Sequence, residues 1–165
     1  KDGKVVIELY KDDAPNHVER IKELASEGKY DGVVFHRVIE GFMAQTGDVE
    51  HGNSKDFSKR RVGTGGSDLP DLKEEFNDRK HIKGTCSMAR SASPDSANSQ
   101  FFICFDDSSF LDGQYTVWGQ VIEGMEFVDN IKLGSSSDNG SVDDPDMMIK
   151  VSVGKAQKTK SASGK

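Results

Sequence analysis

Apolar residues come in short runs along this chain, most of them rich in β-branched and aromatic side chains. Val5 to Tyr10 (VVIELY) reads as a strand with a single charge, Glu8, inside it. Val33 to Ile39 (VVFHRVI) predicts a second strand, and after a turn at Glu40-Gly41 a third begins over Phe42 to Gln45. Gly84 to Ala89 and Gln100 to Phe105 predict two more, divided by the polar loop Arg90 to Ser99. Phe110 to Tyr115 reads as a turn, Thr116 to Val121 as a strand, and Met147 to Val153 as the last strand.

Helical spacing is rarer. Val18, Ile21, Leu24 and Ala25 form one apolar stripe, with Pro15 suited to the first turn and Gly28 to the C-terminal cap. Asp12 and Asp13 precede it, where the helix dipole favours negative charge. Gly124 to Leu133 predicts a second helix, with Met125, Val128 and Ile131 on one side, and Glu74 to Asn77 a single helical turn. Gly47 to Pro70 is a long polar loop, and loops of that length are usually functional or disordered. The pattern predicts a mainly β domain over residues 1–154, built as a closed antiparallel barrel with a helix over each open end. A two-sheet sandwich is the alternative. Residues 155–165 form a Lys/Ser-rich tail with no apolar anchor, expected to be disordered.

Composition narrows the function classes. The chain has 165 residues, a usual domain size, and 17 glycines, which point to tight turns. A net charge of -6 argues against nucleic acid or anionic membrane as partners. No apolar run approaches the ~18 residues of a membrane span. Cys86 and Cys104 have no metal spacing and read as buried thiols of a reducing compartment, which implies the cytoplasm. The chain starts at Lys1, and a removed targeting segment would imply the periplasm instead. No nucleophile elbow, HExxH, P-loop or EF-hand sequence occurs, and His17, His36, His51 and His81 lack ligand spacing. Neither a cofactor nor a metal is expected.

Three blocks remain. They are FHRVIEGFMAQTGD from Phe35, SMAR from Ser87 followed by NSQFFI from Asn98, and FLDGQYTVWG from Phe110. Together and in this order they resemble the signature blocks of cyclophilins, over roughly Val5 to Val153. The segment Val49 to Arg61, with MAQTGD and NSQFFICF, is similar to bacterial cyclophilins in particular.

The resemblance implies an eight-stranded barrel capped by two helices, with a proline-binding groove on its outer face. It implies a peptidyl-prolyl cis-trans isomerase that assists protein folding, with proline-containing peptides and unfolded proteins as partners, acting as a monomer. Arg37 matches the catalytic arginine. Phe42, Met43, Phe102 and Leu111 match the walls of the proline pocket. Gln45 matches a residue that hydrogen-bonds the substrate backbone, and Ala89 and Arg90 match positions that meet the substrate chain. Gln100 matches a groove residue near the residue preceding proline, and Tyr115 replaces the usual histidine at the pocket edge. Phe110 stands where many members carry tryptophan, and Arg90 where many carry asparagine. Loss of the indole donor implies weakened binding of cyclosporin-type ligands. The family's first strand normally precedes VVIELY, but only Lys1 to Lys4 stand there, so either that strand is missing from this chain or the barrel closes differently. A binding module for proline motifs, without useful turnover, is the alternative function; Arg37 discriminates, because binding alone needs no donor aimed at the amide nitrogen.

Overall fold

A computed structural model describes residues 2–156 and 161–163. Strand β1 (Val6–Leu9) leads into helix α1 (Pro15–Ser26), and then β2 (Val33–Val34), β3 (Arg37–Ile39) and β4 (Met43–Thr46) follow. After the long loop come β5 (Thr85–Met88), β6 (Phe101–Cys104), a 3-10 turn at Ser109–Leu111 and β7 (Val117–Glu123). Helix α2 (Met125–Asp129), a second 3-10 turn at Ser136–Asp138, β8 (Met147–Met148), β9 (Val153–Ala156) and β10 (Ser161–Ser163) complete the order.

Six strands form one antiparallel sheet in the order β1-β7-β5-β6-β4-β3. β2–β8 and β9–β10 are separate two-stranded ladders. The architecture is mainly β with two helices, as expected, but the described strands do not close into one eight-stranded barrel. The predicted strand over 33–39 divides because Val33 and Val34 pair with β8 while Arg37 to Ile39 pair with β4. The free edge of β3 is covered rather than open. Val38 donates its N–H to Gly140 O at 2.9 Å and accepts from Gly134 N at 2.9 Å, which removes the hazard of an unpaired edge.

Side-chain alternation along β6 divides the apolar residues into two groups. Phe101 and Ile103 enter the main core with Ile7, Leu24, Val38, Met88 and Trp118. Phe102 and Cys104 face the other way, into a smaller cluster with Met43 and Leu111. That second cluster is the floor of the site.

Helix α1 buries Val18, Ile21, Leu24 and Ala25 as its stripe predicts, with Pro15 in its first turn. The negative charge at its N-terminus comes from elsewhere in the chain. Asn16 N and His17 N donate to the Glu75 carboxylate at 3.1 and 2.9 Å, while Asp13 pairs with Arg79. Residues 73–77 form no helical turn; Glu75 N reaches Thr116 Oγ1 and Asn77 Nδ2 reaches Val117 O. Helix α2 stops at Asp129, short of the predicted Leu133, because the Lys132 N–H leaves the helical ladder for Asp146 Oδ2 at 2.9 Å. The last predicted strand breaks after Met148, where Val151 N is taken by Asp31 Oδ1. Within the tail expected to be disordered, Ser161–Ser163 is a strand paired with β9; residues 157–160, 164 and 165 lie outside the described residues.

Candidate active site

Strand register assembles the site. Arg37 lies opposite Gln45, Gln45 opposite Phe102, and Phe102 opposite Ser87, so four strands contribute one transverse row. The neighbouring row runs Ile39, Met43, Cys104. Period-two alternation puts both rows on the face away from the main core. Phe42 and Leu111 close the sides, and Tyr115 stands edge-on to Phe102 with ring centroids 5.7 Å apart. The result is a groove of about 410 Å³ whose lining includes Arg37, Phe42, Met43, Gln45, Phe102, Leu111 and Tyr115.

Arg37 is half-buried at the groove and firmly held. Its Nε donates to Asn139 O at 3.1 Å, one terminal nitrogen to Asn139 Oδ1 at 3.2 Å, and the other to Gln45 Oε1 at 3.2 Å. Gln45 Nε2 passes the chain on to Gln100 Oε1 at 3.0 Å, and Gln100 Nε2 donates to Gly65 O at 2.9 Å. The amides are thus oriented in series, each accepting on one side and donating on the other. Burial pulls the Arg37 pKa below its ordinary value, and a guanidinium still stays charged.

Behind Phe102 stands a polar strut. The His81 ring stacks on Phe102 with centroids 6.1 Å apart. Its Nδ1 lies 2.9 Å from Asp112 Oδ1 and its Nε2 2.9 Å from Ser87 Oγ. Burial lowers the His81 pKa, against the pull of Asp112. The Ser-His-Asp order is not that of a hydrolase here, because Ser87 is 0% exposed and no substrate atom can reach its hydroxyl. Burial also pushes the Cys104 thiol up to about 12, which keeps it protonated and inert within the floor.

The predicted site residues separate into three places. Arg37, Phe42, Met43, Gln45, Ala89, Arg90, Phe102, Leu111 and Tyr115 all line the groove. Gln100 lines a second groove that shares Gln45, Ala89 and Arg90 with the first. Phe110 is at the lip, 71% exposed and tilted against Phe42 at 5.5 Å, and it lines neither groove. The Arg90 side chain turns back over the Tyr115 ring at 4.6 Å. Asn139, His81 and the loop carrying Gly63 and Thr64 belong to the site or its support, although the sequence reading did not include them. Two local signals existed: the Asn139-Gly140 turn dipeptide and the length of the Gly47 to Pro70 loop that carries Gly63 and Thr64.

The long loop owes its shape to Asp48. This carboxylate, 0% exposed, accepts four backbone N–H groups: Glu50 and His51 at Oδ1, Gly63 and Gly65 at Oδ2. Gly63 has φ +96°, a left-handed conformation that suits glycine and turns its N–H inward. His36, beneath this loop, has neither ring nitrogen hydrogen-bonded, and burial drives its pKa down to about 4.

Fold and groove together define a mainly β protein that carries an open apolar slot flanked by a fixed guanidinium, a surface suited to an extended peptide. The family model for the cyclophilin type peptidyl-prolyl cis-trans isomerases matches residues 1–153. A probable peptidyl-prolyl cis-trans isomerase of Brucella suis is 59% identical over 154 residues, 93% of this chain and 79% of that protein. Peptidyl-prolyl cis-trans isomerase B of Bacillus subtilis is 41% identical, covering 81% of this chain and 87% of that protein. A crystal structure of a cyclophilin from Hirschia baltica superposes with a TM-score of 0.72 at 28% identity, over 88% of this chain and 68% of that one. The chain belongs to the cyclophilin-type peptidyl-prolyl cis-trans isomerase family.

Proposed function

We propose that this chain catalyses cis/trans isomerisation of Xaa-Pro bonds in polypeptides at the groove beside Arg37, and so assists folding. Amide resonance sets a barrier of about 18–20 kcal/mol. Lowering exchange from tens of seconds to milliseconds requires roughly 6 kcal/mol. The prolyl ring enters the slot of Phe42, Met43, Phe102 and Leu111, where each buried CH₂ contributes about 0.8 kcal/mol. That apolar wall penalises the planar, more polar amide more than the twisted one. In the twisted amide the prolyl nitrogen regains its lone pair, and Arg37 donates to it. A guanidinium carries five N–H groups, and three of those of Arg37 are engaged by Asn139 and Gln45. The remaining two serve the substrate, in an interaction that strengthens as the bond turns. Gln45 and Gln100, fixed by each other, hold the chain preceding proline while the ring side rotates.

The observation that supports this most directly is the position of Arg37: a charged donor held in place on the wall of an apolar slot by amide oxygens rather than by a carboxylate. NMR exchange spectroscopy on a short Ala-Pro peptide, with the wild type and with Arg37→Ala, tests it. Binding without catalysed exchange in the wild type would leave a proline-motif module instead.

The closed eight-stranded barrel is part of the same proposal, supported by the covered edge of β3 and by β10 lying alongside β1. No described helix is long and apolar enough to cross a membrane. Both cysteines are buried, which supports a reducing, cytoplasmic setting. The proposed partners are proline-containing segments of unfolded chains, met by a monomer, with weak affinity for cyclosporin.

A further inference from the structure

The protein carries a net charge of -6, yet its groove is lined by positive charge. Arg37, Lys59 and Arg90 are on the wall against Asp138 alone. Lys59 is neutralised, with its ammonium 2.6 Å from Asp143 and 3.7 Å from Asp138. The two guanidinium groups are not. The acceptors that hold Arg37, on Asn139 and Gln45, are amide oxygens. Arg90 donates Nε and one terminal nitrogen to Gln114 O at 3.0 and 2.8 Å, and the other terminal nitrogen to Ser91 O and Ala92 O at 2.9 and 3.2 Å. Backbone carbonyls orient the charge of Arg90 without cancelling it, and stacking on Tyr115 fixes its height over the groove.

Arg90 also lines the second groove, which continues past Gln45 and Gln100. The acid on that wall is Asp71, whose Oδ1 accepts from Asn98 Nδ2 at 3.0 Å. Positive potential is therefore concentrated at the junction of the two grooves, beside the prolyl slot, and fades toward the far end. Because the guanidinium is already tethered, an incoming carboxylate meets an ordered partner and no long side chain must be immobilised.

We propose that this groove selects proline segments with an acidic side chain one or two residues before the proline, read by Arg90 with support from Arg37. This rests on the isomerase reading, in which the chain preceding proline runs past Gln45, Ala89 and Arg90. The overall negative charge of the protein gives acidic peptides no long-range attraction, so the preference is a contact effect of the groove. It deepens the reading from proline segments in general to acidic ones.

Exchange spectroscopy on paired peptides tests it: Ala-Glu-Pro-Phe against Ala-Gln-Pro-Phe, and Glu-Ala-Pro-Phe against Gln-Ala-Pro-Phe, with Ala-Ala-Pro-Phe as the common reference. At least one acidic peptide is expected to exceed its amide partner about threefold or more in kcat/KM at about 0.1 M salt, in the range of an exposed ion pair. The ratio should shrink at about 1 M salt, where the Debye length falls to about 3 Å, the scale of the contact itself. Arg90→Gln should remove the preference and Arg90→Lys should keep part of it, since the point charge survives while the tether to Gln114 is lost. Acid-to-amide ratios near one in both pairs, or ratios indifferent to salt, overturn the proposal while turnover of the reference peptide leaves the isomerase reading standing. Failure to turn over any peptide removes both.

Discussion

Arg37 and Asn139 are 102 positions apart in the chain and joined by two hydrogen bonds, one to the backbone carbonyl of Asn139 and one to its side chain. Asn139 meets the guanidinium from a left-handed conformation, φ 53°, and Gly140 follows at φ 82°. A Cβ on Gly140 would lie 2.6 Å from Ile39 Cγ1 and 3.3 Å from Arg37 Cγ, so the turn can approach β3 this closely only as glycine. Asn139→Gly should preserve the backbone conformation and the carbonyl bond while deleting the side-chain acceptor. The expected result is a fall in kcat of about threefold to tenfold with KM little changed, since the guanidinium loses aim rather than the pocket losing area. An unchanged kcat in a proline-peptide assay would show that this residue does not position Arg37.

Arg37→Ala should leave the fold intact, because the side chain is half-buried and on the outer face of the sheet. Isomerisation should drop at least about tenfold, the scale of one charged hydrogen bond made in the transition state. Arg37→Lys should not restore it, since an ammonium cannot hold Asn139 and Gln45 while still donating to substrate. Turnover within a factor of about two of wild type in the alanine variant would take Arg37 out of the mechanism.

His36 makes stability depend on pH. Burial lowers its folded pKa to about 4, opposed by Asp48 and assisted by Arg37, whereas the unfolded imidazole titrates near its ordinary ~6.5. Between those values the unfolded chain binds the extra proton and the folded one does not. The contribution is full above about pH 6.5 and disappears as pH falls toward about 4, a loss of about 3 kcal/mol. Burial lowers His17 and His81 as well, which adds in the same direction. Urea titrations at several pH values in that window should show falling midpoints for the wild type and a shallower decline for His36→Gln. Equal slopes would mean that His36 is hydrated in the folded state.

Asp48→Ala removes the acceptor for four backbone N–H groups at once. Each charge-assisted bond contributes about 1.5–3 kcal/mol, though four donors on one carboxylate do not add fully. A loss of several kcal/mol in urea midpoint is expected, along with faster amide exchange from Glu50 to Gly65. Protected amides in that segment would contradict the role given to this carboxylate.

Phe110 presents a ring but no N–H at the groove lip, tilted against Phe42. Inhibition by cyclosporin should be weak in the wild type and tighten about tenfold or more in Phe110→Trp, the worth of one recovered hydrogen bond in a partly dry contact. Wild-type inhibition already as tight as that of tryptophan-bearing relatives would refute the assignment.

Phe42, Met43, Phe102 and Leu111 were legible as pocket walls because they fall in motifs that also fix their register. Alternation along β6 then settles which aromatic faces the core: Phe101 does and Phe102 does not, a decision that composition cannot make. What escaped the sequence was long-range. Glu75 at the end of α1, Asn139 on Arg37 and Asp112 on His81 join residues 58, 102 and 31 positions apart, and no local pattern encodes such pairs. The second helix was read too long because Met125, Val128 and Ile131 keep helical spacing after the Lys132 N–H has already turned to Asp146. Arg90 lines the groove, but its side chain follows the carbonyl of Gln114, which only the folded turn presents.

Phe102 and Ile103 are consecutive residues on one short strand, with the first building the slot and the second the interior. Any repacking of the slot floor is therefore felt one residue away in the main core. Tuning this protein toward new sequences must proceed from parts hung outside the sheet: the lip at Phe110, the arch of Arg90 over Tyr115, and the loops at Gly63 and Asn139. Diversity introduced at those positions should be tolerated, while diversity on β4 and β6 should first appear as poor expression.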